Sequence, residues 1–458
     1  MPPGGPLVFN RVLIANRGEI AVRVIRALHE LGVEAVAVYS EADEGALHTR
    51  LADQAVRIGP PPAGESYLKI PSIIAAATTT RCDAIHPGYG FLAENPAFAE
   101  ACLDNDVVFI GPSAETMARM GDKAVAKQEL AAAGVPVVPG TEDATTLDAV
   151  HSAAEEAGYP VLLKAVAGGG GKGMRLVQGP EELEAAFQTA SAEAEAAFGE
   201  GGLYLEKAIV PARHVEVQVV ADGEGGVLTL GERECSIQRR HQKLIEESPS
   251  PALTPEGREQ MEAAAEQAAR AIGYRNAGTF EFLLGPDGSF YFIELNARLQ
   301  VEHPVSELVT GIDIVREQLR VAAGEGLSRT GRAERRGHAI EVRINAEDPA
   351  RDFMPMPGRL ERFRPPAGPG VRVDTHVEDG SIIPPNYDSL LAKIVVWDVD
   401  RAAAIDRSLR ALAELEVVGV PTTKAAAIDI LRTEEFQSGR YSTGFLQEAG
   451  RRLPALMG

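Results

Sequence analysis

Near its start the chain alternates an apolar strand, an amphipathic helix and a second apolar strand, and this order restricts the fold more than any other feature. Residues 12–15 and 33–39 are apolar runs, and between them apolar residues recur at helical spacing over 20–31. This β-α-β order predicts a parallel, doubly wound sheet and an α/β fold. The intervening turn, Asn16-Arg-Gly-Glu19, lacks G-x-G-x-x-G, which argues against a dinucleotide-binding oxidoreductase.

The length of the chain predicts its number of domains, and its net charge excludes some classes of partner. The chain has 458 residues and a formal net charge of −21. About 150 residues per domain predicts about three domains. An acidic average surface repels nucleic acids and anionic membranes, so we expect neither as a partner, and we see no secretory signal and no membrane-spanning run. The cysteines lack C-x-x-C spacing, which predicts free, buried thiols in a reducing compartment and neither disulfides nor a zinc site: Cys82, Cys102 and Cys235.

Two breaks divide the rest of the chain. A helical stretch over 114–133 leads into Gly134-Val-Pro-Val-Val-Pro139, which predicts a hinge into a second domain. The polar, Arg- and Gly-rich segment 322–336 predicts the connection to a third region. That region opens with a strand-like run over 338–345 and carries an amphipathic helix over 402–414.

A glycine-rich segment is the strongest local signal of chemistry. Gly168-Gly-Gly-Gly-Lys-Gly173 lies between strand-like runs at 159–166 and 174–177. A Walker A loop needs G-K-[S/T] followed by a helix, so this segment is not a P-loop. An ordinary hairpin turn needs one or two glycines, and five in six positions favour a flap whose N–H groups hold phosphate oxygens. Lys164 and Lys123 could add phosphate contacts, although either lysine alone is more commonly a surface residue.

A predicted hairpin carries paired carboxylates. Residues 278–284 and 289–295 are strand-like, and pairing Leu284 with Ser289 would place Glu281 opposite Phe292. Glu294 then lies diagonally from Glu281 on the same face. The alternation continues along that face through Asn296, Arg298, Gln300 and Glu302.

A solvated polar face is the commoner reason for such a pattern, but here it emerges from an apolar strand, and buried carboxylates need cations. Two carboxylates and an amide oxygen suit Mg²⁺ bound to ATP phosphates. The planar guanidinium of Arg298 matches bicarbonate, and Glu302 could act as a base.

Two other segments contain histidine. Gln238-Arg-Arg-His-Gln-Lys243 would usually be a basic surface patch, but in an acidic chain it fits an anion site better. His86-Pro-Gly-Tyr-Gly-Phe91 follows an apolar run, and His86 is more simply a hydrogen-bonded buried histidine than a ligand.

Nine motifs match one family: Ala15-Asn-Arg-Gly-Glu-Ile20, His86-Pro-Gly-Tyr-Gly-Phe-Leu92, Gly121-Asp-Lys123, Glu232-Arg-Glu-Cys-Ser236, Gln238-Arg-Arg-His-Gln-Lys243, Gly278-Thr-Phe-Glu-Phe282, Glu294-Leu-Asn-Ala-Arg-Leu-Gln-Val-Glu-His-Pro304, Arg343-Ile-Asn-Ala-Glu-Asp-Pro349 and Tyr387-Asp-Ser-Leu-Leu-Ala-Lys393. Through them the chain resembles biotin carboxylases over residues 7–446. The glycine run is shared by ATP-grasp enzymes generally, whereas the Gln-Val-Glu-His-Pro and Arg-Arg-His-Gln-Lys segments are much more specific.

The resemblance implies a three-part ATP-grasp architecture. Its parts are a preATP-grasp N-terminal domain over 7–118, an ATP-grasp domain over 123–331 with a mobile lid at about 138–205, and a C-terminal domain over 338–449. It assigns the metal site to Glu281, Glu294 and Asn296, and the bicarbonate and biotin site to Lys243, Arg298, Gln300, Val301, Glu302, Tyr89 and Arg343. It assigns ATP to Lys123, Lys164, Gly168, Gly169, Gly170, Gly171, Lys172, Gly173, Met174, Glu206, Lys207, Ile209, His214, Gln238, His241 and Leu283.

The implied reaction is the carboxylation of biotin with ATP, bicarbonate and two Mg²⁺ or Mn²⁺ ions. Glu302 deprotonates bicarbonate, carbonate attacks the γ-phosphorus, and carboxyphosphate releases CO₂. Arg343 stabilises the biotin enolate, with Lys243 and Arg298 completing the catalytic set. The implied setting is a cytoplasmic homodimer that serves an acyl-CoA carboxylase, such as acetyl-CoA carboxylase of fatty acid synthesis, together with a biotin carboxyl carrier protein and a carboxyltransferase.

We expect the biotin to be carried by another polypeptide. No Met-Lys-Met turn occurs, and the lysines after Lys243 are Lys393, in a predicted strand, and Lys424, at a predicted helix start. Two alternatives remain open: an ATP-grasp ligase or carboxylase with another acceptor, and a non-catalytic nucleotide-binding subunit.

Overall fold

The first part of the computed structural model confirms the predicted parallel sheet. The structure describes residues 9–141, 146–165, 174–198, 202–240 and 242–456. The first elements are β1 (Arg11–Ile14), α1 (Gly18–Glu30), β2 (Glu34–Ser40), α2 (Leu47–Leu51), β3 (Gln54–Gly59), α3 (Ile70–Thr79), β4 (Ala84–His86), α4 (Pro96–Asp104), β5 (Val108–Phe109) and α5 (Ala114–Gly121). The strands run parallel in the order β3-β2-β1-β4-β5.

Alternation along β1 explains why helices cover both faces of this sheet. Val12 and Ile14 pack with the apolar stripe of α1, whereas Leu13 packs with α3 and α4. Successive strand residues point to opposite faces, so an uninterrupted apolar strand has to be covered on both sides.

The predicted helix over 114–133 is two helices, α5 and α6, separated at Asp122. The Asp122 carboxylate accepts the N–H groups of Ala124 at 3.0 Å and Val125 at 3.2 Å, which starts a new helix there. The elements that follow are α6 (Lys123–Ala132), β6 (Gly140–Thr141), α7 (Leu147–Ala157), β7 (Val161–Ala165), β8 (Met174–Val177), α8 (Pro180–Phe198) and β9 (Leu203–Lys207).

Strands β6 to β9 form a small antiparallel sheet in the order β6-β9-β7-β8. The predicted strand–glycine–strand arrangement is confirmed in its strands, since β7 and β8 pair up to Lys164 opposite Met174. The glycine run that joins them, 168–173, lies outside the described residues.

The largest sheet within the described residues has nine strands. Its elements begin with β10 (Arg213–Asp222), β11 (Val227–Arg239), β12 (Gln242–Ser248), α9 (Pro255–Ala271), β13 (Arg275–Leu284), β14 (Phe290–Asn296), α10 (His303–Thr310), α11 (Ile314–Ala322), β15 (Gly331–Arg332) and β16 (His338–Asn345). Helix α9 covers one face, where Met261 and Ala265 pack with Val215, Phe280 and Phe282.

The predicted third region opens, as expected, with a strand at 338–345. The remaining elements are β17 (Glu347–Asp348), β18 (Met354–Pro355), β19 (Gly358–Arg359), β20 (Arg362–Arg364), β21 (Val371–Thr375), β22 (Ile382–Ile383), β23 (Leu390–Asp398), α12 (Arg401–Glu414), β24 (Glu416–Val418), α13 (Lys424–Arg432), α14 (Glu434–Gln437) and α15 (Phe445–Ala449). The nine-stranded sheet has the order β14-β13-β10-β11-β12-β16-β23-β21, with β15 beside β11. Since β16 pairs with β12, both regions contribute side chains to one sheet face.

The register predicted for the β13–β14 hairpin is wrong. Leu284 pairs with Phe290, not with Ser289. The N–H of Gly285 donates to the carbonyl of Ser289 at 2.7 Å, so the connecting loop includes Ser289.

A bulge further along the hairpin changes how the two carboxylates meet. Pairing passes from Phe282–Phe292 directly to Glu281–Glu294, which leaves Ile293 as the extra residue. Glu281 and Glu294 are therefore directly opposite each other, not diagonal, and the predicted shared face is confirmed. Within the described ranges, no helix combines the length and apolar composition needed to cross a bilayer.

Candidate active site

One lysine ammonium draws three buried carboxylates together. Nζ of Lys243, on β12, lies 2.6 Å from Glu216, 3.1 Å from Glu281 and 2.5 Å from Glu302. Burial alone would lower the pKa of Lys243, but the three carboxylates raise that pKa well above its ordinary value. Lys243 thus remains a cation that makes the burial of these carboxylates tolerable.

Glu302, at the start of α10, is held by a cation on each carboxylate oxygen. Lys243 donates to Oε1 at 2.5 Å, and Arg343, on β16, donates to Oε2 at 2.9 Å. Burial would raise the pKa of Glu302, but the charges of Lys243 and Arg343 lower it well below the ordinary value. Glu302 is therefore ionised, which is the state a general base requires.

The guanidinium of Arg343 is fixed by a second buried carboxylate. Its Nε donates to Glu246, on β12, at 2.6 Å, while Nη2 reaches Glu302. Burial raises the pKa of Glu246 to about 7 despite the charge of Arg343. Arg343 therefore lies between two carboxylates in a planar arrangement that suits an anion-binding residue.

Both carboxylate oxygens of Glu281 contact polar side chains. His214 lies 2.9 Å from Oε2, and Oε1 accepts from Asn296 at 2.9 Å and Gln300 at 3.1 Å in addition to Lys243. Burial would raise the pKa of Glu281, but Lys243 and His214 lower it well below its ordinary value. The carboxylate is ionised and therefore suited to a cation.

Glu294, the directly opposite residue, has its Oε2 3.0 Å from the Lys123 ammonium. Opposed strand residues have Cβ atoms about 5 Å apart, so carboxylate oxygens from both can reach one ion. Oxygen donors of this type fit Mg²⁺ or Mn²⁺. The amide oxygen of Asn296, the third predicted ligand, accepts from Arg298 at 3.0 Å and would have to leave it to join them.

A second group of possible ligands shares Glu281 with this pair. Ligand atoms of His214, Glu216 and Glu281 lie within 4.8 Å of one another. Glu281 belongs to both groups, and each group is already contacted by an ammonium, Lys243 at Glu216 and Glu281 and Lys123 at Glu294.

Arg298 is held as a fork just beyond the end of β14. Its guanidinium donates to Glu94 at 2.9 Å, to Asn296 at 3.0 Å and to Gln300 at 3.4 Å. Gln300 also donates to Glu281, so the structure links the predicted metal residues to the predicted bicarbonate residues through direct contacts. The arrangement presents a planar cation beside the Lys243 cluster.

The two other residues assigned to bicarbonate or biotin are joined through a buried lysine. The carbonyl of Val301 accepts from Nζ of Lys393 at 2.9 Å, and that Nζ lies 3.1 Å from Glu19. The hydroxyl of Tyr89 donates to Glu19. Tyr89 and Glu19 line a cavity of about 260 Å³ with Asp388.

The residues assigned to ATP form a second group of ion pairs. Lys123 begins α6 and reaches Glu294, whereas Lys164, on β7, lies 2.5 Å from Glu206, on β9. Burial would raise the pKa of Glu206, but Lys164 and Lys127 lower it. Lys127 was not predicted and lies 3.1 Å from the same carboxylate.

The remaining residues assigned to ATP are placed mainly by the sheet. Lys207 ends β9, and its ammonium donates to the carbonyl of Ala157 at 3.0 Å instead of joining Lys164. Ile209 lies near the β13–β14 loop at Gly285. Across the sheet, Gln238 pairs with Lys243, Leu283 pairs with His214, and Met174 begins β8. The predicted residues outside the described ranges are Gly168, Gly169, Gly170, Gly171, Lys172, Gly173 and His241.

The buried partners of these residues were not predicted from the sequence. Arg233, fully buried on β11, donates to Glu216 at 2.6 Å, to Gln218 at 2.7 Å, and to Ser306 and Thr279 at 3.1 Å each. The available signal was a charged residue flanked by apolar ones, as Glu216 is between two valines. A buried charge there has to find a cation, which Arg233 and Lys243 supply.

His86 has a structural role, as the sequence suggested. Its Nδ1 accepts the N–H of Gly88 at 3.0 Å, and Nε2 lies 3.3 Å from Gln318. Burial lowers the pKa of His86 to about 4, so it is neutral. The cysteines are free and buried, as predicted: Cys82, Cys102 and Cys235.

The sequence of the chain matches family models of known proteins along most of its length. Residues 8–117 match "Biotin carboxylase, N-terminal domain", 122–330 match "Carbamoyl-phosphate synthase L chain, ATP binding domain" and 341–448 match "Biotin carboxylase C-terminal domain". The chain is 54% identical to a protein named biotin carboxylase from Nostoc sp., over 97% of this chain and 100% of the relative.

Two solved structures have the same fold. The biotin carboxylase–βγ-ATP complex from Campylobacter jejuni is 48% identical, with a TM-score of 0.90 over 97% of this chain and 100% of that one. The biotin carboxylase domain dimer of the 2-oxoglutarate carboxylase from Hydrogenobacter thermophilus, in complex with MgADP, ADP and bicarbonate, is 47% identical. Its TM-score is 0.88, over 97% of this chain and 98% of that one.

Proposed function

The chain belongs to the biotin carboxylase family, and from this membership we propose that it uses ATP and bicarbonate to carboxylate biotin presented by a carrier protein. The observation that carries the proposal is the position of Glu302, an ionised buried carboxylate between the cations of Lys243 and Arg343. A base for bicarbonate and cations for the resulting carbonate thus lie within one hydrogen-bonded cluster.

The proton affinity of Glu302 rises when Lys243 or Arg343 binds bicarbonate instead of the Glu302 carboxylate. Lys243 and Arg343 hold its pKa down, and burial opposes them. When bicarbonate draws either cation away, the same burial raises the proton affinity of Glu302. We propose that Arg298 binds the anion beside Glu302, because its fork is already oriented by Glu94 and Gln300.

The carbonate that forms attacks the γ-phosphorus of ATP and gives carboxyphosphate and ADP, and carboxyphosphate then yields CO₂ and phosphate. Lys123 and Lys164, which lie at the two carboxylates Glu294 and Glu206, supply positive charge for the phosphates. Glu281 and Glu294 would hold a divalent cation, which would neutralise further charge on the phosphates. The released phosphate takes the N1′ proton of biotin, and Arg343 stabilises the resulting enolate as its N1′ adds to CO₂.

We propose that biotin is attached to another polypeptide. Lys393 is fully buried in β23, and the ammonium of Lys424 donates to the carbonyl of Leu415. Neither lysine lies at an exposed hairpin tip where a biotinylated residue could swing. A streptavidin blot with intact-mass analysis, on protein made in a host with active biotin ligase, should show no biotin-sized increment. Such an increment would refute the separate carrier.

For the final acceptor we propose acetyl-CoA, so that the chain works with a carrier protein and a carboxyltransferase, as a homodimer in the cytoplasm. The similarity to a domain of 2-oxoglutarate carboxylase makes an oxo acid the second candidate. Acceptor chemistry belongs to the carboxyltransferase, so reconstitution with each type of transferase and carrier discriminates between the two acceptors.

The test of the proposed activity is ADP release with one substrate omitted at a time. We expect turnover to require bicarbonate and to rise with free biotin, and to rise further with a biotinylated carrier because tethering raises the effective concentration. Stimulation by an amino acid or a purine intermediate instead of biotin would favour an ATP-grasp ligase with another acceptor. No turnover with any acceptor would favour a non-catalytic nucleotide-binding subunit.

A further inference from the structure

Two lysines share a single carboxylate at one end of the ATP site. Nζ of Lys127, on α6, lies 3.1 Å from Oε1 of Glu206, and Nζ of Lys164, on β7, lies 2.5 Å from Oε2. All three side chains are largely buried. Two ammonium groups on one carboxylate leave one positive charge without an opposite charge in that group.

Helix α6 sets Lys127 in line with Lys123. Residues four apart lie on one helix face, about 6 Å apart along the axis. Lys123 reaches Glu294, beside the proposed cation site, whereas Lys127 reaches Glu206, the carboxylate that also binds Lys164. Lys127 therefore lies beside one lysine proposed to contact the phosphates and on the same helix face as the other.

We infer that Lys127 is a further lysine of the nucleotide site and that it binds a phosphate oxygen of ATP or ADP beside Lys164. The inference rests on the proposed function, since it requires a nucleotide in this place. Before the nucleotide binds, Glu206 holds both ammonium groups in position. When the nucleotide binds, its phosphates supply the second negative charge that the two ammonium groups require and that Glu206 alone does not provide.

Alternatively, Lys127 could have only a structural role, in which its ion pair with Glu206 holds β9 against α6. The two roles differ in the ligand they affect. A phosphate contact strengthens the binding of ADP and leaves that of adenosine unchanged. A structural role alters the binding of both ligands through Glu206, because it moves the wall of the site.

The experiment measures the Kd of MgADP and of adenosine by calorimetry for the full-length chain and its variants. Lys127→Gln should weaken MgADP about tenfold, as loss of a charged hydrogen bond does, and leave adenosine within about twofold. Lys127→Arg should restore most of the MgADP affinity. The matched control is Lys69→Gln, which removes the same charge from an exposed position in another part of the chain.

A double-mutant cycle with Glu206→Gln separates direct from indirect action. A direct phosphate contact predicts that Lys127→Gln still weakens MgADP about tenfold when Glu206 is already changed. Disappearance of the effect in that background, equal losses for adenosine, or unchanged MgADP affinity in Lys127→Gln would each overturn the inference. Failure of the unaltered chain to bind MgADP would instead overturn the proposed function.

Discussion

Glu302 is the residue on which the proposed chemistry depends most directly. Two cations, Lys243 and Arg343, hold its oxygens at 2.5 and 2.9 Å, and both can also attract an anionic substrate. Its motif made Glu302 predictable from the sequence, but no local pattern shows that Glu216 and Glu246 are the carboxylates that complete the cluster. Burial of these charges depends on strands that meet only in the folded sheet.

Replacing Glu302 by Gln should separate chemistry from nucleotide binding. The variant keeps the shape of the side chain and loses the base, so bicarbonate-dependent ADP release should fall about a hundred- to thousandfold. Calorimetry should still detect MgADP binding, which serves as the control for folding. Turnover within a few fold of the unaltered enzyme would remove Glu302 from the role of base.

Replacing Glu294 by Gln tests the cation site. The neutral amide binds Mg²⁺ less well than the carboxylate, so we expect the Mg²⁺ concentration for half-maximal turnover to rise about tenfold or more. Asp287→Asn is the matched control, because Asp287 is an exposed carboxylate in the loop of the same hairpin. An identical Mg²⁺ dependence in Glu294→Gln and the control would contradict the assignment.

At the scale of elements, the β13–β14 hairpin shows what local pattern can and cannot reveal. Alternation predicted the shared face of Glu281 and Glu294, because side-chain direction follows from strand periodicity. The same alternation did not predict the bulge at Ile293. The neighbouring residue, Phe292, has a partner far away in the sequence. The N–H of Phe292 donates to the carbonyl of Pro136 at 2.8 Å, a contact made by the segment that joins α6 to β6. Such a contact has no signature in the hairpin sequence.

Strands β7 and β8, which flank the glycine run, provide a test of the proposed lid. A segment that closes over nucleotide should open less often when nucleotide is bound. We expect amide hydrogen exchange in 161–165 and 174–177 to slow when ATP is added, while exchange in β1, a buried strand of the parallel sheet, stays unchanged. Equal exchange of β7 and β8 with and without ATP would count against closure.

At the scale of the whole molecule, a single sheet passes from the predicted second region into the third. Glu247, on β12, binds His338 at 2.6 Å on β16 and Arg401 at 2.7 Å on α12, and accepts from Tyr441. The three-part division remains a prediction. The continuity of the sheet was not foreseen, since strand order depends on pairing between segments far apart in sequence.

The contacts of Glu247 predict a pH-dependent contribution to stability. Burial would raise its pKa, but the hydrogen bonds from His338 and Arg401 lower that pKa to about 2. The folded state therefore favours the carboxylate by about 3 kcal/mol above pH 4.5, and this stabilisation is lost as pH falls from 4.5 towards 2.

Glu247→Gln should consequently lower the free energy of unfolding by about 3 kcal/mol at pH 7, and by about 1 kcal/mol less at pH 3.5. Denaturant titrations at the two pH values measure the difference from the unaltered chain. Glu334→Gln, in an exposed pair with Arg336, is the control and should change little. A deficit of equal size at both pH values would show that Glu247 does not act through its ionised form.

The most direct test of the carboxyphosphate route follows one oxygen atom of bicarbonate. If carbonate attacks the γ-phosphorus, the attacking oxygen of bicarbonate remains on phosphorus when carboxyphosphate breaks down to CO₂. Turnover with ¹⁸O-labelled bicarbonate in the presence of biotin, stopped before the label exchanges with water, should yield inorganic phosphate that contains one ¹⁸O atom for each ADP formed. Unlabelled phosphate would contradict the carboxyphosphate route and the role proposed for Glu302.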